Sequence, residues 1–118
     1  IDINKDIGNF KRIIQKYKPS IIINYIAQGM DAESWNNPQD WYKTNIVSQT
    51  KIYKELFKFN FIKRLIHVTT PEVYGSTPKK IKENYNFNPS TPYAISRATL
   101  DTHLYKFFQN YNLMFLIL

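Results

Sequence analysis

Residues 21–27, Ile21-Ile22-Ile23-Asn24-Tyr25-Ile26-Ala27, decide the fold. The run is short, β-branched and apolar, with almost no alternation. A strand buried on both faces reads this way, as in a parallel sheet. Two further runs share the character, from Arg64 to Thr69 and from Leu113 to Leu118. A helical period precedes each. From Asp6 to Lys18, residues Ile7, Phe10, Ile13, Ile14 and Tyr17 line one stripe, which Pro19 closes. From Gln39 to Lys58, residues Trp41, Ile46, Tyr53, Leu56 and Phe57 gather toward one side, and a third helix is predicted from Tyr93 to Tyr111. A loop from Gly29 to Pro38 and a longer polar one bearing Gly75, Pro78, Pro89 and Pro92 fill the gaps. Helix and strand alternate three times. That order implies parallel pairing through right-handed crossovers, hence an α/β fold with helices layered on a parallel sheet.

The 118 residues suit one domain. With 43% apolar and 21% charged residues the composition is that of a globular chain. Cysteine is absent, so disulfides, thiol nucleophiles and thiolate metal sites are excluded. His67 and His103 are the only histidines, and no metal site is expected. No apolar run approaches the ~20 residues of a membrane helix, and no signal pattern opens the chain, so a cytoplasmic protein is expected. The net charge is +7, but the lysines are dispersed. Their densest group, Lys79, Lys80 and Lys82, falls in a loop, so no nucleic-acid partner is expected.

Ligands of open parallel sheets bind beyond the carboxyl ends of the strands. The loops after Asp2-Ile3, after Ala27 and after Thr69-Thr70 belong there. The last brings a hydroxyl and a carboxylate together in Thr69-Thr70-Pro71-Glu72. Read alone, this is a strand-end turn shaped by Pro71 and Gly75. Tyr93 and Arg97 stand one turn apart at the start of the third helix. A cation there would lower the phenol pKa and let Tyr93 act as a general base, although such a pair is also expected once by chance. Asn45 reads as a surface asparagine, His67 as a packed histidine, and Trp35 with Trp41 as cover for a core edge. The three glycines, Gly8, Gly29 and Gly75, cannot form a G-x-G-x-x-G phosphate loop.

Taken in order, these residues resemble the extended short-chain dehydrogenase/reductase family, in its NAD-dependent epimerase/dehydratase branch of the dTDP-glucose 4,6-dehydratase kind. The resemblance rests on Asp2-Ile3, Ile26-Ala27-Gln28, Ser34, Thr44-Asn45, His67-Val68-Thr69-Thr70-Pro71-Glu72-Val73-Tyr74-Gly75 and Pro92-Tyr93-Ala94-Ile95-Ser96-Arg97. The most specific signal is E-V-Y-G followed about twenty residues later by S-T-P-Y-A-x-S. The resemblance implies the middle portion of a Rossmann-like, doubly wound parallel sheet, with residues 1–118 forming part of an NAD-binding domain. It implies that Tyr93 deprotonates a sugar hydroxyl while hydride passes to NAD, and that Thr70 hydrogen-bonds the same oxygen. It gives Arg97 the nicotinamide ribose and the tuning of Tyr93, gives Glu72 a part in loss of water, and places Asp2, Ile3, Ala27 and Asn45 at the cofactor. It also implies a nucleotide-sugar substrate and, at full length, a homodimer packed through the helices that carry Asn45 and Tyr93. Leu100, Leu104, Phe107 and Phe108 suit that contact and the sheet face equally.

The sequence departs from the family pattern at two positions. Pro71 stands where the dehydratases have an acidic Asp, and Arg97 where they have Lys. The first leaves a 4-epimerase without elimination as the alternative, beside a non-catalytic remnant of the same fold. The family's first strand and glycine-rich loop are expected before Ile1, and its substrate lobe after Leu118. The chain thus reads as the middle of a longer enzyme, inactive and marginally stable alone.

Overall fold

The computed structural model describes residues 1–110 and 114–118. Asp6 opens α1 (Ile7–Tyr17) by accepting the Asn9 N–H at 2.9 Å, and Lys18 closes it in the left-handed conformation at φ 45°. Strand β1 (Ile21–Asn24) follows, then a 3₁₀ turn over Ala32–Trp35. Next come α2 (Pro38–Tyr42), a π-helical stretch over Lys43–Ser48, and α3 (Gln49–Leu56), all in right-handed backbone throughout. Strand β2 (Arg64–His67) leads into a second 3₁₀ turn over Pro71–Tyr74. Helix α4 (Pro92–Phe108) and strand β3 (Met114–Ile117) complete the chain. The predicted helix end at Tyr111 and strand start at Leu113 lie outside the described residues.

The strands lie in the order β1-β2-β3, all parallel. Cross-strand rows run Ile22–Leu65–Phe115 and, two residues on, Asn24–His67–Ile117. Both rows face the helices. Beneath the first, Ile14, Ile52, Leu56, Ile62, Leu100, Leu104 and Phe108 form the core with Leu65. Leu100, Leu104 and Phe108 are therefore committed to the sheet, which settles the choice left open between sheet and dimer contact. The opposite face is bare: Ile21, Ile23, Met114 and Leu116 are each 44–55% exposed. Strands in consecutive order place successive right-handed crossovers on one side, so these helices cover one face only.

The sequence-based strand limits are too long. Strand β1 ends at Asn24 because its side chain turns back to accept the Ile26 N–H at 2.8 Å. The predicted long helix contains a π segment that hydrophobic periodicity does not reveal. Trp41 is buried and donates its indole N–H to the Gly29 carbonyl at 2.6 Å, but Trp35 is 62% exposed and covers nothing.

Candidate active site

In parallel α/β units the helices run back against the strands, so the N-terminus of α4 lies at the carboxyl edge of the sheet. Thr91 caps α4 by accepting the Ala94 N–H at 3.2 Å and donates its hydroxyl to Asp31. Pro92 occupies the first turn, where no amide hydrogen is needed. Ser34 Oγ accepts the Tyr93 N–H at 3.1 Å and donates to the Asp31 carbonyl. The turn after β1 thereby fixes the backbone of Tyr93, whose side chain is half-buried.

Thr70 leaves β2 in extended backbone and caps the Pro71–Tyr74 turn, against which α4 packs. Gly75 ends that turn at φ +66°, where a Cβ would meet the Asn88 carbonyl oxygen at 2.2 Å, so only glycine fits. Tyr74 braces the long loop by donating its hydroxyl to Asn84 O at 2.9 Å. Between turn, loop and the end of β3 opens a cavity of about 550 Å³. Thr69, Thr70, Tyr74, Tyr85, Phe87 and Asp101 are among its lining residues, whereas Tyr93 is not. Exposed Glu72 has its pKa raised by partial burial and then by the charge of Asp31.

Asn45 corrects the surface reading. It is fully buried in the π-helical stretch. Its Oδ1 accepts the Gln28 N–H at 2.7 Å, and its Nδ2 donates to Gln28 O at 3.0 Å and to Ser96 Oγ at 2.9 Å. One amide thus clamps the loop after β1 to α4. Thr44 beside it accepts from Asn4 Nδ2 at 3.0 Å and donates to Gln28 Oε1 at 2.8 Å.

Arg97 is 2% exposed, and its guanidinium turns into the protein. One terminal nitrogen donates to Ile26 O at 3.2 Å and the other to Val68 O, joining α4 to the ends of β1 and β2. Its Nε carries no hydrogen bond. Ile3 belongs to the core. Asp2 is exposed and accepts the Asn4 N–H at 2.9 Å, and Ala27 is exposed at the same edge.

His67 is packed, as the sequence implies, but its surroundings were not foreseen: Asn24, Gln49, Tyr53 and Asp101 join it in a buried polar group behind this edge, each at most 5% exposed. His67 has its pKa lowered, first by burial and then by the nearby Arg97 charge, against the opposing pull of Asp101. The Tyr53 phenol is raised well above its usual value by burial. The available signal was a carboxylate at 101, four residues after Arg97, within the buried stripe of α4 that continues to Leu104 and Phe108.

This arrangement, a Thr-bearing strand end facing a helix that opens on tyrosine, belongs to the epimerase/dehydratase class of short-chain dehydrogenases/reductases. The sequence pattern described as GDP-mannose 4,6 dehydratase matches residues 1–118, and the chain belongs to that family. A dTDP-glucose 4,6-dehydratase of Xanthomonas campestris is 26% identical over 96% of this chain and 36% of its own length. Among solved structures, Thermus thermophilus UDP-glucose 4-epimerase in complex with NAD superposes with a TM-score of 0.88 at 21% identity, covering 99% of this chain and 38% of that one. A Streptomyces venezuelae dTDP-glucose 4,6-dehydratase double mutant with NAD bound gives 0.86 at 24% identity, covering 99% and 35%. The chain spans about a third of the length of these relatives.

Proposed function

We propose that this chain is the central part of the NAD-binding domain of a cytoplasmic nucleotide-sugar 4,6-dehydratase, working as a homodimer. The supporting observation is the placement of Tyr93: its backbone is held by Ser34 and the Thr91 cap at the sheet edge where Thr70 emerges. Tyr93 takes the proton of the sugar 4-hydroxyl, and Thr70 donates a hydrogen bond to the oxygen on which charge develops. Glu72 serves the elimination; its raised pKa suits a carboxyl that must hold a proton. NAD, when bound, accepts the hydride from the sugar carbon and returns it within the turnover. The residues here fit part of that group. Arg97 keeps an unpaired, buried Nε–H at the strand ends, and Ala27 leaves the edge uncrowded. Asp2, exposed beside the core residue Ile3, borders the adenine end, and Asn45 orders the loop after β1. The pyrophosphate cradle is not among these 118 residues.

The second reading is a 4-epimerase. Pro71 favours it, because proline has no proton to give where the dehydratases carry an acid. One assay separates the two. The complete gene product is incubated with NAD and dTDP-glucose, GDP-mannose or UDP-glucose, and the product is identified. A 4-keto-6-deoxy sugar establishes the dehydratase, a C4 epimer the second reading, and no turnover with any of them refutes both. In either active case Tyr93→Phe is expected to lower kcat by ~10²–10⁴-fold while thermal stability is kept.

A further inference from the structure

The buried polar residues are joined by hydrogen bonds that run from the Ile26 amide to His67. The Ile26 N–H donates to Asn24 Oδ1 at 2.8 Å, which orients the Asn24 amide. Asn24 Nδ2 must then donate, and it does so to Gln49 Oε1 at 2.7 Å and to the Tyr53 hydroxyl oxygen at 2.8 Å. Gln49 Nε2 donates to the Ile26 carbonyl, which fixes that amide as well. With its oxygen already accepting, Tyr53 sends its own proton to His67 Nδ1, 2.7 Å away. A neutral His67 that accepts there carries its hydrogen on Nε2, which lies 3.3 Å from Asp101 Oδ1 without a hydrogen bond between them. Asp101 Oδ2 accepts the hydroxyl of Thr69. One branch returns through Gln49 to the Ile26 carbonyl and the other runs through Tyr53 to His67, beside Asp101, which is itself completely buried.

Asp101 lies two turns after Tyr93 on α4, and Thr69 immediately precedes Thr70. Thr69 and Thr70 both line the cavity beside α4, so anchoring Thr69 fixes the backbone from which Thr70 projects. The Thr69 N–H is held as well, by the Leu118 carbonyl at 2.7 Å. We propose that Asp101 is a positioning residue: by holding Thr69 Oγ1 from its buried place on α4, it sets the place of Thr70 relative to Tyr93. Arg97, bound to the Val68 carbonyl one residue earlier, restrains the same strand end through its backbone. The two act at different points, Arg97 on the strand and Asp101 on the hydroxyl-bearing side chain that orients the next residue.

This inference rests on the dehydratase/epimerase reading of Tyr93 and Thr70, and its test is built to fail separately. In the complete gene product, Asp101→Asn and Thr69→Val are expected to lower kcat by ~10²-fold, the size of a small misplacement of a reacting group. KM for the nucleotide sugar stays within about twofold, since no sugar contact is removed. Thr69→Ser, which keeps the donor, restores most of the rate. In a Thr70→Ala background, Asp101→Asn adds less than ~3-fold, because its effect passes through Thr70. A full, additive loss in that background overturns the proposal while leaving the enzyme reading intact, as does an equal loss in Thr69→Ser. A readout independent of turnover is the amide NMR spectrum of the complete protein with Thr69→Val, the milder change. Shifts at Thr70 and Glu72 are expected, and shifts confined to His67 and Tyr53 overturn the proposal even if the wild type proves inactive on every sugar.

Discussion

The layer between the helices and the sheet divides in two along the strands. At the row Ile22–Leu65–Phe115 the partners are Leu56, Ile62, Leu104 and Phe108, and Tyr53 adds only its ring, edge-on to Phe115. Two residues further, at Asn24–His67, the partners are Gln49, Tyr53, Arg97 and Asp101. Helices α3 and α4 contribute to both halves. The apolar half gains free energy from buried area, which is indifferent to small rotations. The polar half gains little net free energy, because buried charges lose their hydration. Its hydrogen bonds have definite lengths and directions, so it fixes geometry. The half that fixes geometry lies next to Tyr93 and Thr70.

The largest test of this contrast is Arg97→Met. It removes two charge-assisted hydrogen bonds, to the Ile26 and Val68 carbonyls, so a loss of ~3–5 kcal/mol is expected in urea unfolding. A near-neutral result would show that the polar half behaves like ordinary core. Leu65→Ala is next, at about 2–5 kcal/mol from lost burial and the cavity left behind. Its cost should be independent of pH, and the amide shifts of Thr70 and Tyr93 should stay in place. Movement of those shifts would mean that the halves are mechanically coupled.

A smaller effect separates the halves by pH. His67 is packed between Tyr53, Asp101 and Arg97, and its folded pKa lies below the ordinary 6.5. As pH falls through 6.5, the unfolded chain takes up a proton that the folded chain refuses, so stability falls with pH from that point downward. His67→Gln should flatten this slope in melts taken between about pH 7 and pH 5; an unchanged slope would assign it to other groups. The smallest effect lies outside both halves. Glu55 is drawn down to about 2 by hydrogen bonds from Lys11 and then Lys58. Its contribution is present above 4.5 and is lost as pH falls from there toward 2. Lys11→Met should cost less than ~1 kcal/mol, and 1 M salt should erase the difference.

The two halves were unequally legible in the sequence. Short β-branched runs and a 3.6-residue period report burial of apolar residues, so the strands around Ile22, Leu65 and Phe115 and the helices above them could be placed from the sequence. Tyr93 could also be placed, because proline and threonine mark a helix start. The polar half could not. Arg97 reads as the cation that tunes Tyr93, and nothing local says that it or Asp101 points inward. Asn45 reads as surface because its partners, Gln28 and Ser96, lie 17 and 51 residues away. Its π-helical setting leaves no mark on a hydrophobicity pattern. The bare face went unforeseen for a related reason: Ile21 and Ile23 are as apolar as residues buried on both sides, and a strand does not encode what covers it.

The position of β2 between two parallel neighbours has a consequence for solvent exchange of amide hydrogens. In a parallel ladder, successive amides of one strand point to alternate sides. From Arg64 to His67 each side meets a partner, β1 or β3, so protection along β2 should be unbroken. In β1 and β3 only every second amide meets β2 within this sheet. Slow exchange in those strands should therefore recur with period two, and any strand added at either edge would be read as the missing alternate residues slowing down.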